Sequence, residues 1–325
     1  MKKERKQWID FLRGVAMLLV IWGHISRNSL FFVVTSPVKI PLFFAITGYV
    51  FNDEQGHLAR FAKKQWKTIV IPWIVLSLIW LKAGYLIASG NARLVPKSLY
   101  DFISGNTYWF MPCILVSNAI HFLIRKNRNY YCRYLLMTGA GVVGLLIADR
   151  GIGRFAMFNV ACVSQLFMMF GYWFRGNESK ITAHCKPYIL VALGILYGVL
   201  IGISIHYFPG EAMDVHNNIY YSYSICGAMI FTGLTVLFTV FCRINNFPKW
   251  VTFVGQNTLA FYILHYYVRR VIKKACSLTG LSLPNSLQSN LIEFALVCVV
   301  LTLIAYMLNT WLPEAVGKKN RTVKR

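Results

Sequence analysis

MKKERKQWIDFLRGVAMLLVIWGH, residues 1–24, begins with a cluster of cations and continues as an apolar run interrupted by Asp10, Arg13 and His24. A basic start followed by an apolar run resembles a signal peptide, but no small-x-small cleavage site follows it, so the segment reads as an uncleaved first membrane span. Working outward, comparable runs recur along the chain, each near the roughly 17–23 residues that cross a hydrocarbon core about 30 Å thick. They predict spans at 8–26, 37–52, 69–89, 107–124, 134–149, 157–174, 187–207, 219–242, 252–268 and 290–312. Of the 325 residues, 57% are hydrophobic and 14% charged, and mean hydropathy is +0.51. A soluble domain needs far more polar surface. The expected fold is all-α: a polytopic integral membrane bundle of about ten transmembrane helices. An even number of crossings puts both termini on one side.

The cations say which side. Most Lys and Arg fall in one alternate set of short loops, including Lys2–Lys6, Arg60–Lys67, Arg125–Arg133 and the basic tail 315–325. By the positive-inside rule these loops, and both termini, face the cytoplasm. The formal net charge of +23 invites a nucleic-acid reading, which fails because no basic domain lies outside the spans. A basic inner surface would instead attract anionic membrane lipids and phosphorylated small molecules. One group breaks the pattern: Arg269, Arg270, Lys273 and Lys274, which follow His265 on the outward side. Either the span count is off there, or these cations attract an anionic acceptor.

Cys113, Cys132, Cys162, Cys185, Cys226, Cys242, Cys276 and Cys298 form no CxxC and no Cys/His cluster, so no metal site is expected. There is no linker, low-complexity tract or repeat, which makes residues 1–325 a single membrane-embedded domain. Any chemistry must then occur inside the bundle or at its edge.

Ionisable groups inside a span are costly, and so are functional candidates. Arg13 and His24 are eleven residues apart; at ~100° per residue they share one helix face, separated by roughly 16 Å along the axis. Asp10 sits one turn from Arg13 and either pairs with it at the interface or serves the site. A cation near the inner surface in line with a deep imidazole suits a long anionic donor with its head on Arg13 and its reactive end at His24. Histidine is the side chain best suited to general-base work near neutral pH. Lys82, within the third span, either snorkels or lines a cavity.

These residues carry a resemblance. IDFLRGVAMLLVIWGH (9–24) resembles the opening motif of the acyltransferase-3 family of membrane O-acyltransferases. PLFFAITGYVF (41–51) is similar to its second-span pattern, with Thr47 where Ser is usual. KKQWKTIVIPW (63–73) is similar to its basic loop before a proline-started span. YWFMPCILV (108–116) looks like its WFL pattern with Met111 for Leu, and NTLAFYILHYYV (257–268) like its late YLLH pattern. The matches fall in family order, and the fucose 4-O-acetylase-like branch is the most similar. The resemblance implies an acyl-CoA-dependent O-acyltransferase of the plasma (inner) membrane. It implies acetyl-CoA or another acyl-CoA as donor, and a hydroxyl of a surface glycan or lipid-linked sugar as acceptor. It makes Arg13 and His24 the essential pair. Lys64 and Lys67 stand where the family has Arg-x-x-Arg, and would hold CoA phosphates with Arg13 but without the bidentate fork. His265 and Trp109, with Arg269 and Arg270, would lie on the acceptor side.

Direct transfer with His24 as base and an acyl-histidine intermediate both fit these residues. A transporter or flippase of lipid-linked glycan is the rival class. It predicts paired halves with broken helices, and the sequence shows no internal symmetry. A structural scaffold leaves Arg13, Lys82 and His24 as unexplained costs.

Overall fold

A computed structural model describes residues 6–26, 28–51, 57–279 and 286–318. Among them the chain is almost wholly helical, with one isolated β-bridge, Asp214–Ile219. Arg27 and most of the basic tail lie outside the described residues.

The first span is α1 (Gln7–Ile25) and the second is α2 (Ser29–Val50). A bent third span follows: α3 (Leu58–Gln65), a π-helical turn (Trp66–Val70), α4 (Ile71–Leu76) and α5 (Ile79–Ala88). Pro72 has no N–H, and the helix widens just before it; Leu78, at φ 53°, makes the second break. Next come α6 (Val95–Ser104), α7 (Phe110–Arg125), α8 (Tyr130–Asp149), α9 (Phe158–His184), α10 (Pro187–Tyr207) and α11 (Tyr223–Phe241). α12 (Lys249–Gln256), α13 (Thr258–Leu278) and α14 (Leu287–Trp311) complete the bundle.

Eight helical segments among the described residues are long and apolar enough to cross a membrane. Two of the ten expected spans fall short of that standard for opposite reasons. α7 is apolar but has only 16 residues, about 24 Å at 1.5 Å per residue. α13 has 21 residues but carries four cations.

The boundaries correct the sequence reading in two places that matter. The second span starts at 29, not 37: Asn28 caps it by accepting from the Phe31 N–H, and the helix runs through Pro37 and Pro41. Lys39, near the edge of the expected span, is therefore well inside the helix. Likewise, the expected span 252–268 is two helices broken at Asn257, and the second continues to Leu278. Arg269, Arg270, Lys273 and Lys274 are on this helix, not in a loop beyond it.

Close backbone contact holds the centre. Gly171 of α9 packs on the Ala45 carbonyl of α2, and Gly255 of α12 on the Asp10 carbonyl of α1; a Cβ at either would overlap that oxygen. In lipid, such small residues supply much of the helix–helix attraction, because apolar burial alone gains little there. The segment between α10 and α11 folds back over the end of the bundle that holds His24, burying Met213 and Val215 in the main core.

Candidate active site

At the end of the bundle rich in Lys and Arg, α1, α2, the third span, α7 and α13 enclose a cavity of about 400 Å³. Arg13, Lys64, Gln65, Thr68 and Asn118 give it polar walls, and Phe43, Phe110 and Met111 line it towards the centre. Asn118 donates to Gln65 Oε1 (3.1 Å), fixing two of those groups. A second void of about 70 Å³ lies further along, lined by Met17, Val20, Ile40 and Tyr262, and it shares Phe43, Phe110, Met111, Thr258 and Leu259 with the first. Arg13, Met17, Val20 and His24 follow one another at helical spacing on one stripe of α1. That stripe runs from the polar cavity past apolar walls to His24, which lines neither void and is exposed in the last turn of α1, not deep in the span as expected.

α1 is tied at both ends. At the basic end Lys6 Nζ pairs with Glu178 of α9 (2.7 Å), and the Tyr49 hydroxyl donates to the same carboxylate (2.5 Å). At the His24 end Arg269 of α13 donates to the His24 carbonyl oxygen and pairs with Glu293 of α14, Nε to Oε1 2.5 Å. Glu293 is only 4% exposed, and Lys273 is 3.8 Å from its other oxygen. Arg269 is thus not an open cation at a mouth, as a loop position suggested. Arg270 lies over the Tyr266 ring, 5.3 Å from its centroid.

His24 and His265 come together, ring centroids 5.0 Å apart. His265 is buried, and its Nδ1 contacts the Tyr262 carbonyl oxygen at 2.6 Å. A carbonyl only accepts, so the proton is assigned to Nδ1, and Nε2 is left as a lone pair with no partner among the described residues. The Tyr262 hydroxyl in turn accepts from the Phe110 N–H (3.2 Å), the first turn of α7, and so locks α7 to α13.

Of the other expected residues, Trp109 is half-buried where α7 begins and stacks on His216 of the covering segment, with centroids 4.8 Å apart. Burial holds the His216 pKa below the ordinary histidine range, the Asp214 carboxylate opposing the shift and Arg154 adding to it. Thr47 lines the cavity and donates to the Phe43 carbonyl. Lys67 is exposed and off the cavity wall, so only Lys64 of the basic pair faces it. Lys82 is exposed on the side of the bundle. Asp10 is buried and accepts from Gln256 (3.2 Å).

Sequence reasoning missed Glu293, Lys39 and the buried His121–Gln165 pair between α7 and α9 (3.2 Å). Glu293 and His121 could have been found by the rule that exposed Arg13: each is an ionisable group inside an expected span. Lys39 also lies inside its expected span, but near the start of it, where a cation reads as interfacial.

Residues 6–310 match the model of the family described as "Acyltransferase domain" (Acyl_transf_3). This chain belongs to that acyltransferase family, and it is a multi-pass membrane protein. A curated amino-acid racemase of Enterococcus faecalis is similar, at 27% identity over 44% of this chain. The match covers 22% of that protein's length. No solved structure matches the chain.

Proposed function

We propose that this chain moves an acetyl or other short acyl group from cytoplasmic acyl-CoA to a hydroxyl of an extracytoplasmic or lipid-linked carbohydrate, in the plasma (inner) membrane. The observation that carries the reading is the α1 stripe. Arg13 lines a polar cavity at the basic end, Met17 and Val20 line the apolar void that adjoins it, and His24 follows on the same stripe of α1. A slender thioester carrier with an anionic head needs that sequence of surroundings.

In this reading Arg13 and Lys64 hold CoA phosphates, with Lys67 adding field from nearby. His24 removes the acceptor proton as the acceptor oxygen attacks the thioester. Nε2 of His265 is a fixed acceptor beside it, and Trp109 with Arg270 lines the approach of the sugar. The fucose 4-O-acetylase-like branch is the reading of substrate class. Family membership favours acyl transfer over the transporter or flippase alternative.

The test compares surface glycan from cells with and without the chain by mass spectrometry. A gain of one acetyl group per modified sugar is expected. His24→Ala protein that reaches the membrane should lose at least ~10²-fold in rate. Unchanged glycan mass in cells that make the wild-type chain would overturn the reading.

A further inference from the structure

Lys39 is a cation in the middle of a membrane helix, a position too costly to hold without a use. α2 starts at the His24 end of the bundle, and helical side chains lean towards their helix N-terminus. The Lys39 stem therefore rises towards the turn that bears His24. Its Nζ lies 4.6 Å from the Phe32 ring centroid and 3.6 Å from where a Gly23 Cβ would stand, so the missing side chain at Gly23 lets the ammonium come in against α1. His24 and Asp214 are both within its electrostatic reach. Yet among the described residues Lys39 makes no ion pair or hydrogen bond. The Asp214 carboxylate is already engaged, by the His216 N–H (2.9 Å) and by Asn217 Nδ2 (2.7 Å).

Among the described residues, the other cations near His24 have partners. Arg269 is paired with Glu293 and the His24 carbonyl, Lys273 is beside Glu293, and Arg270 lies over Tyr266. Arg13 is roughly 16 Å away along α1. Lys39, like Arg270, has an aromatic ring and no carboxylate or carbonyl partner among the described residues, and of the two it is the one shown drawn in against α1 beside Gly23.

We propose that Lys39 is a catalytic residue whose ammonium stabilises the negative charge developing on the thioester carbonyl oxygen during acyl transfer. This rests on the acyl-CoA reading above. The acceptor O–H gives its proton to His24, and its oxygen forms a bond to the carbonyl carbon. The carbonyl π pair moves onto oxygen against Lys39. The pair returns, the C–S bond breaks, and the proton on His24 passes to the departing CoA sulfur. Lys39 keeps its protons throughout, and no other reactant is consumed. A fixed cation where charge appears needs no reorganisation at the moment of reaction, the general basis of such stabilisation.

The experiment uses purified full-length protein in liposomes, acetyl-labelled acetyl-CoA, and acceptor membranes from native cells that lack the chain. Folded protein is quantified by size-exclusion chromatography. Lys39→Met should lower kcat at least ~100-fold, with the KM for acetyl-CoA within about threefold of wild type. Lys39→Arg, which keeps the charge, should retain at least about ten times the Lys39→Met rate. If wild-type protein transfers no label, the acyl-CoA reading itself falls. If wild type transfers label and Lys39→Met runs within about threefold of it, Lys39 has no catalytic role. A rise in KM with kcat unchanged would make it a binding residue and overturn the proposal. So would failure of both variants to accumulate as folded protein, which would make it structural.

Discussion

Glu293→Gln should uncouple the His24 end of α1 from α13 and α14. The substitution keeps the shape and removes the charge, leaving Arg269 beside the His24 carbonyl with no buried carboxylate to answer it. Breaking a buried ion pair by removing one partner costs ~3–5 kcal/mol. Arg269 is 21% exposed, so water takes over part of the loss and the lower end, about 3 kcal/mol, applies. That is roughly two decades in the population of the locked arrangement. Two assays read it. Thermal unfolding in detergent should shift down by roughly 5 °C or more. Acyl transfer per folded molecule, measured well below the melt, should fall by up to ~10²-fold, because a reacting group displaced by 1 Å loses about that much. The double variant Arg269→Met/Glu293→Leu separates the effects: two apolar partners should restore most of the stability but not the bond to the His24 carbonyl, so activity should stay low. If Glu293→Gln keeps both its melting temperature and its rate, the staple does not hold His24.

Gly171→Ala should reduce folded protein severely, because its methyl overlaps the Ala45 carbonyl and forces α2 from α9; the yield of monodisperse protein reads this, and Gly194→Ala, with nothing near its Cβ, is the silent control. Lys64→Ala should weaken CoA binding more than Lys67→Ala, since only Lys64 faces the cavity, and the difference should shrink as salt rises; equal losses in an equilibrium binding assay would remove the distinction. His216, with its pKa depressed in the folded state, binds fewer protons there than when unfolded. The segment over the His24 end should therefore lose stability as pH falls below about 6.5, and hold it above that. Hydrogen exchange of residues 208–222 against pH should show this, and His216→Phe should flatten the profile.

The fold was legible because a bilayer allows so little else: long apolar runs must be helices. The Arg13–His24 stripe was legible for the same reason, since an α-helix fixes the relation of residues eleven apart whatever packs around it. Local patterns that mimic boundaries misled. Pro37 and Pro41 lie inside α2 because a membrane helix can carry proline among packed neighbours, and starting the span at Pro37 put Lys39 at its edge instead of its middle. The four cations after His265 looked like a loop because charge ordinarily ends a span, but here Glu293, on the next helix in sequence and adjacent in space, neutralises part of it. No sequence period reports a partner on another helix. Nor could the tautomer of His265 be read, because it depends on a backbone carbonyl one turn back being free to accept.

The two ends of α1 have a mechanical consequence. A helix clamped by Lys6, Glu178 and Tyr49 at one end, and by Arg269 and Glu293 at the other, is a rail and not a lever. Carriers that work by rocking must swing the helices around their cargo; these contacts tie α1 to its neighbours at both ends. In the proposed reaction, three turns of this one helix set the distance between the CoA head at Arg13 and the acyl group at His24. The bent third span is built otherwise: its π-helical turn and the break at Leu78 interrupt its backbone, and its outer face is largely exposed.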